Sequence, residues 1–198
     1  VFDARRQKIA LDMYAYSIEL APDLPDGYAG MAQVLATLHV ITPDADQAAS
    51  YLSEAEKNVE LALARAPSSA WSVAAQSWTL VQSGKLEEAL HRARLALDLA
   101  PRDGHVLDLI GITAICANDP ELAALVSDPD HDRQGVRRSG TQNIWGLANL
   151  MLGNNDTTVA AFDTAAAEGA VVSAPALIFQ AIAHDRRGEQ EEAKALVR

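Results

Sequence analysis

Three aspartates that alternate along the chain, Asp128, Asp130 and Asp132, come closest to a metal-binding spacing. Carboxylates at every second position match the first three ligands of a calcium loop, because alternate side chains of a turning loop can point inward. Such a loop also requires glycine at its sixth position and glutamate at its twelfth, and these positions are Arg133 and Ser139 here. We therefore expect a solvated acidic loop and no calcium site.

No other set of side chains forms a pattern that carries catalysis or binds a cofactor. Zinc ligands on a helix are commonly three or four residues apart, and no two histidines in the sequence have that spacing. The motifs GxSxG, GxxxxGKS/T and HExxH are absent. The glutamate pairs 87–88 and 191–192 open predicted helices, where negative charge complements the helix dipole. The sequence therefore predicts no enzyme activity, no metal and no cofactor.

Two tryptophans, Trp71 and Trp78, are the strongest candidates for binding another molecule. They lie seven residues apart on one predicted helix and therefore on one stripe, together with Ala74. Large aromatic side chains make strong anchors because they bury much area with little loss of rotamer freedom. Two interpretations stay open: an exposed binding stripe or, after a shift of one residue in register, packing in the core.

The elements that position these residues are helices that end in a repeated pattern. Segment 96–101, ALDLAP, follows the similar segment 62–67, ALARAP, by 34 residues, and segment 18–22, IELAP, is an earlier copy. A 34-residue period whose units close with Ala-Leu-x-x-x-Pro resembles the tetratricopeptide repeat (TPR) family. The resemblance implies an all-α, right-handed solenoid of antiparallel helix pairs with a concave groove that binds peptides or proteins.

The repeats predict one superhelical domain over 1–198 with five to six units. Residues 10–22 fit the second helix of a first unit that lacks its first helix, and the last unit is cut short at residue 198. The second unit is 11 residues too long near 39–46, which predicts either an extended loop or an extra turn of its second helix. In the fourth unit Pro129 stops the second helix early, so this unit is degenerate. The incomplete ends predict a fragment of a longer protein.

Small side chains predict close packing between these helices. On the second helix of the unit closed by segment 96–101, Ala89, Ala93 and Ala96 recur at spacings of four and three. We expect them to pack against neighbouring first helices, because a close approach there leaves no room for a larger group.

Segment 20–32, LAPDLPDGYAGMA, followed by an Asp-containing insertion, carries a narrower resemblance. It is similar to the C-terminal TPR regions of bacterial class III adenylate or guanylate cyclases and of winged-helix transcriptional regulators. This resemblance implies a sensory or protein-docking module tethered to an output domain. None of the catalytic or DNA-binding residues of such an output domain is present, so the resemblance implies no activity for this chain.

The composition of the chain limits which classes of partner and which cellular location we expect. The net charge is −11 and both halves of the chain are acidic, so nucleic acid and anionic membrane are unsuitable partners. No uncharged run approaches the length of about 18 apolar residues that spans a membrane, and no leader pattern is present, so we expect a cytoplasmic location. The single cysteine, Cys116, cannot form a disulfide framework and is expected to be buried within the apolar run 109–117.

The predicted groove lacks the cations that would hold a carboxylate. TPR domains that bind a C-terminal carboxylate use Lys, Arg and Asn of their first helices, and the predicted first helices 27–38, 70–82 and 104–117 contain no Lys or Arg. The groove candidates are instead Asp26, Gln33, Trp71, Ala74, Trp78, His105 and Asp108. We therefore expect a neutral-to-basic peptide or protein partner with an apolar or aromatic anchor. The alternative function is self-association into a homo-oligomer, whereas an α-solenoid enzyme would need a catalytic cluster that the sequence lacks.

Overall fold

The computed structural model describes residues 4–135, 139–170 and 172–198, and the remaining positions of the predicted domain lie outside the described residues. Eleven α-helices make up most of this described part. They are α1 (Ala4–Leu20), α2 (Pro25–Ile41), α3 (Ala45–Arg65), α4 (Ala70–Gln82), α5 (Leu86–Leu99), α6 (Gly104–Cys116), α7 (Pro120–Ser127), α8 (Ser139–Met151), α9 (Asn155–Ala167), α10 (Ala174–Arg186) and α11 (Gln190–Leu196). None of the described helices combines the length and the apolar character that crossing a membrane requires.

The helices alternate between two layers. Helices α2, α4, α6, α8 and α10, called the first helices below, each pack on the second helix of their own pair, which is α3, α5, α7, α9 or α11. Successive first helices also contact one another, and each second helix contacts the first helix that follows it, as α1 contacts α2. These contacts stack the helix pairs behind α1 into an all-α solenoid, so the predicted fold class is confirmed.

Local signals set the boundaries of these helices. Asp44, Ser69, Asp103, Asp119 and Ser173 each accept a hydrogen bond from a backbone N–H in the first turn of the helix that follows. Such caps satisfy donors that have no partner within the helix. Helix α7, for example, begins at Pro120 directly after its cap Asp119.

The turn after most first helices requires a left-handed backbone. Gly84, Gly153 and Gly188 have φ angles of 74°, 82° and 83°, and Asn118 takes the corresponding place after α6 with a φ of 60°. Glycine adopts this conformation without strain, and asparagine tolerates it better than most residues. These residues therefore let the chain turn sharply between the two helices of a pair.

The 11 extra residues of the second unit lengthen both of its helices. Helix α2 has 17 residues and α3 has 21, against 13 in α4 and 14 in α5. The connecting turn 42–44 is as short as the turn 83–85 of the next pair. Of the two predicted alternatives, extra helical turns are present, in both helices, and the extended loop is wrong.

The degenerate unit has a short second helix and a segment that folds back onto α6. Helix α7 has 8 residues and ends at Ser127. The backbone of Gln134 then pairs with the residues before α6, and the Gly104 N–H donates to the Gln134 carbonyl oxygen at 3.2 Å. A Cβ atom on Gly104 would lie 2.8 Å from that oxygen, so the close approach depends on glycine. We call residues 128–135 the docked segment.

The acidic triplet lies in the docked segment, where its members have separate contacts. The carboxylate of Asp132 pairs with the Arg102 guanidinium through Oδ2–Nε and Oδ1–Nη2 distances of 2.9 and 3.0 Å. Asp128 accepts the backbone N–H of Asp130 at 2.7 Å. Among the residues that the structure describes, no three His, Cys, Asp or Glu side chains form a group that could hold a metal ion. The triplet is therefore part of a docked loop and not of a purely solvated one.

Small side chains let the layers approach closely. Ala89, Ala93 and Ala96 are all 0% exposed on α5, which packs against α4 and α6, so their predicted packing is confirmed. Between α6 and α8, a Cβ atom on Gly111 would lie 3.0 Å from Ile144 Cγ2.

Cys116 is exposed at the end of α6, so the expectation that it is buried is wrong. The run 109–117 is apolar except for Thr113, and Leu109, Ile110 and Ala114 are among its residues buried in the core. Cys116 is instead the last residue of α6 and lies on the same face as Ile112, four residues earlier, which is only partly buried. Although the residue is exposed, its surroundings desolvate the thiol and raise its pKa above the ordinary value.

Candidate functional site

An aromatic cluster joins four helices around Trp71 of α4. The indole lies edge-to-face with Tyr14 of α1 and His105 of α6, at ring-centroid distances of 6.1 and 4.8 Å. Its Nε1–H donates to Oε1 of Gln33 on α2 at 3.2 Å. These contacts fix the orientation of the half-buried indole. The structure thus brings together the predicted site residues Gln33, Trp71 and His105 and adds Tyr14, which sequence reasoning missed.

Tyr14 reaches this cluster because α1 and α2 pack closely. A Cβ atom on Gly30 would lie 2.2 Å from Tyr14 Cε1, and one on Gly27 would lie 2.8 Å from Ile18 Cγ1. Two glycines three residues apart inside a helix therefore mark the surface on which α1 lies. This spacing in the sequence is the signal that could have identified Tyr14.

Trp78 and Ala74 are buried, with 3% and 0% exposure, so the prediction that they line a groove is wrong. Both belong to the main core cluster, and α4 packs between α2 and α6. Trp71 lies in the first turn of α4, whereas Trp78 lies further along, where the flanking helices cover it. Core packing, the alternative that the sequence left open, therefore applies to Ala74 and Trp78, whereas Trp71 is only partly buried.

Asp108 is held inside the protein by an ion pair with the docked segment. Its Oδ1 accepts hydrogen bonds from Arg133 Nη2 at 2.7 Å and from Thr141 Oγ1 at 2.8 Å. Arg133 Nη2 also donates to the carbonyl oxygen of Gly104 at 2.7 Å. The side chains of Asp108 and Arg133 are only 15% and 7% exposed. The prediction that Asp108 faces a ligand is therefore wrong, because its carboxylate serves this internal contact.

Asp26 lies apart from the aromatic cluster. It is exposed in the first turn of α2, seven residues before Gln33. Two turns of helix place it about 10 Å along the axis from that residue. Its carboxylate complements the dipole of α2 and stays a candidate for contact with a basic ligand.

A cleft lies between the first helices α6, α8 and α10, and sequence reasoning did not identify it. It encloses about 130 Å³ and is lined mainly by apolar side chains. We call it the apolar cleft and define it by Ile112, Ile115, Ile144, Leu147, Pro175 and Phe179. Asn143 and Ser173 contribute polar groups, and none of the described residues that line it is ionisable. Aliphatic residues within an apolar run resemble core residues in sequence, so nothing there marks the cleft.

One face of α6 connects the aromatic cluster with the apolar cleft. His105, Asp108, Ile112 and Ile115 recur at spacings of three and four and therefore share a face. His105 belongs to the cluster, whereas Ile112 and Ile115 line the cleft. A rise of 1.5 Å per residue separates His105 from Ile115 by about 15 Å. We call the surface that contains both features the inner face.

Solved structures with a similar arrangement of helices are TPR proteins. YrrB, described as a TPR protein with an unusual peptide-binding site, has a TM-score of 0.58 at 16% identity, covering 94% of this chain and 90% of its own. A tetratricopeptide repeat protein from Parabacteroides merdae ATCC 43184 has a TM-score of 0.57 at 17% identity, covering 96% and 70%. A chain of the APC/C hetero-tetramer Cut9–Hcn1 has a TM-score of 0.67 at 14% identity, covering 98% and 37%. The chain has the TPR fold.

These similarities establish the TPR fold alone. Sequence identities of 14–17% do not show that two proteins share a function. No protein-family model and no curated protein matches the sequence. The narrower resemblance to the TPR regions of cyclases and transcriptional regulators stays a prediction.

Proposed function

We propose that this TPR domain is a non-enzymatic scaffold that binds a peptide or protein segment on its inner face. The observation that carries the proposal is that one face of α6 contributes His105 to the aromatic cluster and Ile112 and Ile115 to the apolar cleft. Trp71 offers a rigid aromatic contact and the cleft offers unfilled apolar space. An extended segment of about five residues spans the ~15 Å between them.

The partner segment in this proposal is neutral to basic and carries an apolar or aromatic anchor. Helices α2, α4, α6 and α8 contain no Lys or Arg, so an acidic segment finds no cationic donor there. The net charge of −11 repels an acidic segment and accelerates encounter with a basic one. The peptide-binding site that the description of YrrB reports supports peptide binding by this fold.

The proposal places the domain in a larger bacterial protein, as its regulatory or sensory part in the cytoplasm. The similarity of segment 20–32 to the TPR regions of cyclases and winged-helix regulators supports this context. Sequencing the gene on both sides of the region that encodes this chain tests it. An output domain in the same reading frame would support the regulatory role, and flanking start and stop codons would contradict it.

Titration with two labelled peptides, followed by fluorescence anisotropy, tests the scaffold itself. A basic peptide with an aromatic residue is expected to bind, more weakly as salt is raised, and an acidic chaperone-tail peptide is not. Trp71→Ala should weaken binding of the basic peptide, whereas Tyr16→Ala, at an exposed aromatic residue of α1 outside the cluster, should not. Tight binding of the acidic peptide, or no effect of Trp71→Ala, would contradict this assignment of the inner face.

Exposed apolar side chains on α1 favour self-association as a second candidate function. Ile9, Met13, Tyr16 and Leu20 are each more than half exposed and recur at helical spacing on one face. Contiguous exposed apolar surface commonly marks an interface. Sedimentation velocity over a range of protein concentrations tests this function, with Met13→Glu as the variant expected to restore the monomer. A wild-type protein that stays monomeric throughout would exclude it.

A further inference from the structure

The first helices place equivalent side chains at their ninth residues, and these side chains differ in size. The ninth residues are Gln33, Trp78, Ile112, Leu147 and Ile182. On α4 the indole of Trp78 is buried at 3% exposure. On α6 and α8 the smaller Ile112 and Leu147 border the apolar cleft. The cleft therefore lies where two successive helices carry aliphatic groups in place of the indole of α4.

The size of the cleft fits one side chain. Its volume is about 130 Å³. An apolar cavity of about 150 Å³ is sufficient to bind benzene, whereas pockets for small-molecule ligands usually have about 300–1,000 Å³. A leucine or phenylalanine side chain is therefore of the right size, and a cofactor or drug-sized ligand is too large.

We propose that the apolar cleft is the anchor pocket of the inner face and takes one leucine- or phenylalanine-sized side chain from a neutral-to-basic partner segment. This assignment rests on the proposed scaffold function and moves the anchor from the tryptophans to Ile112, Ile115 and Leu147. None of the described lining groups is ionisable, so a charged side chain would lose its hydration without gaining a counter-charge. An uncharged apolar side chain exchanges water for apolar contacts at no such cost.

Three synthetic peptides that differ only in their central residue test the pocket. Each carries lysines on both sides of a central Leu, Phe or Ala. Because the cleft buries the additional carbon atoms, we expect the Leu and Phe peptides to bind about ten- to fifty-fold more tightly than the Ala peptide. Isothermal titration calorimetry measures the three affinities. Equal affinities for all three peptides would overturn the anchor pocket and leave the scaffold function in place.

Tryptophan substitutions that fill the cleft, and one that does not, provide matched variants for this test. Leu147→Trp gives α8 the side chain that α4 carries at the same position and should reduce the Leu and Phe peptides to the affinity of the Ala peptide. Ile112→Trp fills the cleft from α6 and should do the same, which guards against a folding defect in either variant. Ile182→Trp makes the equivalent change on α10, outside the lining of the cleft, and should preserve discrimination. Undiminished discrimination in the first two variants, folded by circular dichroism, would overturn the proposal.

A free amino-acid derivative separates failure of the pocket from failure of the scaffold. N-acetylphenylalanine amide has no peptide chain and should shift the methyl NMR resonances of Ile112 and Ile115. If it does so while no peptide binds, the pocket stands and the scaffold proposal fails. If neither it nor any peptide binds, both proposals are overturned.

Cys116, the single cysteine, lies on the same face of α6 as Ile112, and its reaction with Ellman's reagent should slow when the Leu peptide binds.

Discussion

Replacing Asp108 by alanine is expected to destabilise the domain rather than to remove a ligand contact. Asp108→Ala removes the carboxylate that lies 2.7 Å from Arg133 Nη2 and leaves that guanidinium, 7% exposed, without its counter-charge. Removing one partner of a buried ion pair costs about 3–5 kcal/mol, and the 15% exposure of Asp108 places the loss near the lower end. For a domain of this size, a loss of about 3 kcal/mol lowers the melting temperature by about 6–12 °C.

Thermal unfolding followed by far-UV circular dichroism measures this loss. Asp26→Ala is the matched control, because it removes an exposed aspartate and should cost less than about 1 kcal/mol. Combining Asp108→Ala with Arg133→Met should restore most of the stability, since no unpaired charge is then buried. An unchanged melting temperature for Asp108→Ala, together with weaker binding of the lysine-flanked Leu peptide, would refute the reasoning and make Asp108 a ligand group.

Three further predictions concern packing, metal binding and the thiol. Ala93→Trp should overpack the contact of α5 with its neighbours and cost about 1–3 kcal/mol, and an unchanged thermal melt would contradict the packing at this 0% exposed position. Calcium and EDTA should leave the melting temperature unchanged, because Asp128 and Asp132 have separate contacts, and a rise of several degrees with calcium would reveal a site. Because the pKa of Cys116 is raised, its thiolate fraction near pH 8 is small, so Ellman's reagent should react more slowly with the folded protein than with the unfolded chain. Equal rates for the two states would contradict that shift.

The fold was predictable because its signals are local and recur. The closing segments 62–67 and 96–101 mark the ends of second helices, and Gly84 marks the turn inside a pair, wherever the unit lies in the solenoid. The turn at residues 42–44 was recognisable from its Thr-Pro-Asp sequence. The distribution of the extra residues between α2 and α3 was not, because turn chemistry does not determine how far a helix continues on either side.

The candidate site was predictable only where position along a helix decides exposure. Trp71 and His105 lie in the first turns of α4 and α6, and the stacking of first helices brings them together. The exposure of Trp78 depends instead on the helices that pack on both sides of it. The partner of Asp108 comes from the irregular docked segment, 25 residues away, and no repeat pattern indicates Arg133. The exposure of Trp78 and the ion pair of Asp108 therefore depend on tertiary contacts, which the repeat pattern does not show.

The ninth residues of the first helices also make the two halves of the inner face different. Buried Trp78 fills its place on α4, whereas Ile112 and Leu147 leave the cleft open on α6 and α8. In the proposed scaffold, the space for an apolar anchor among the described residues of the inner face therefore lies between α6, α8 and α10. The described lining of that cleft has no carboxylate, whereas Asp26 on α2 is exposed. We therefore expect a partner segment with one apolar anchor and a basic end to place its anchor in the cleft and to point its basic end towards Asp26 on α2.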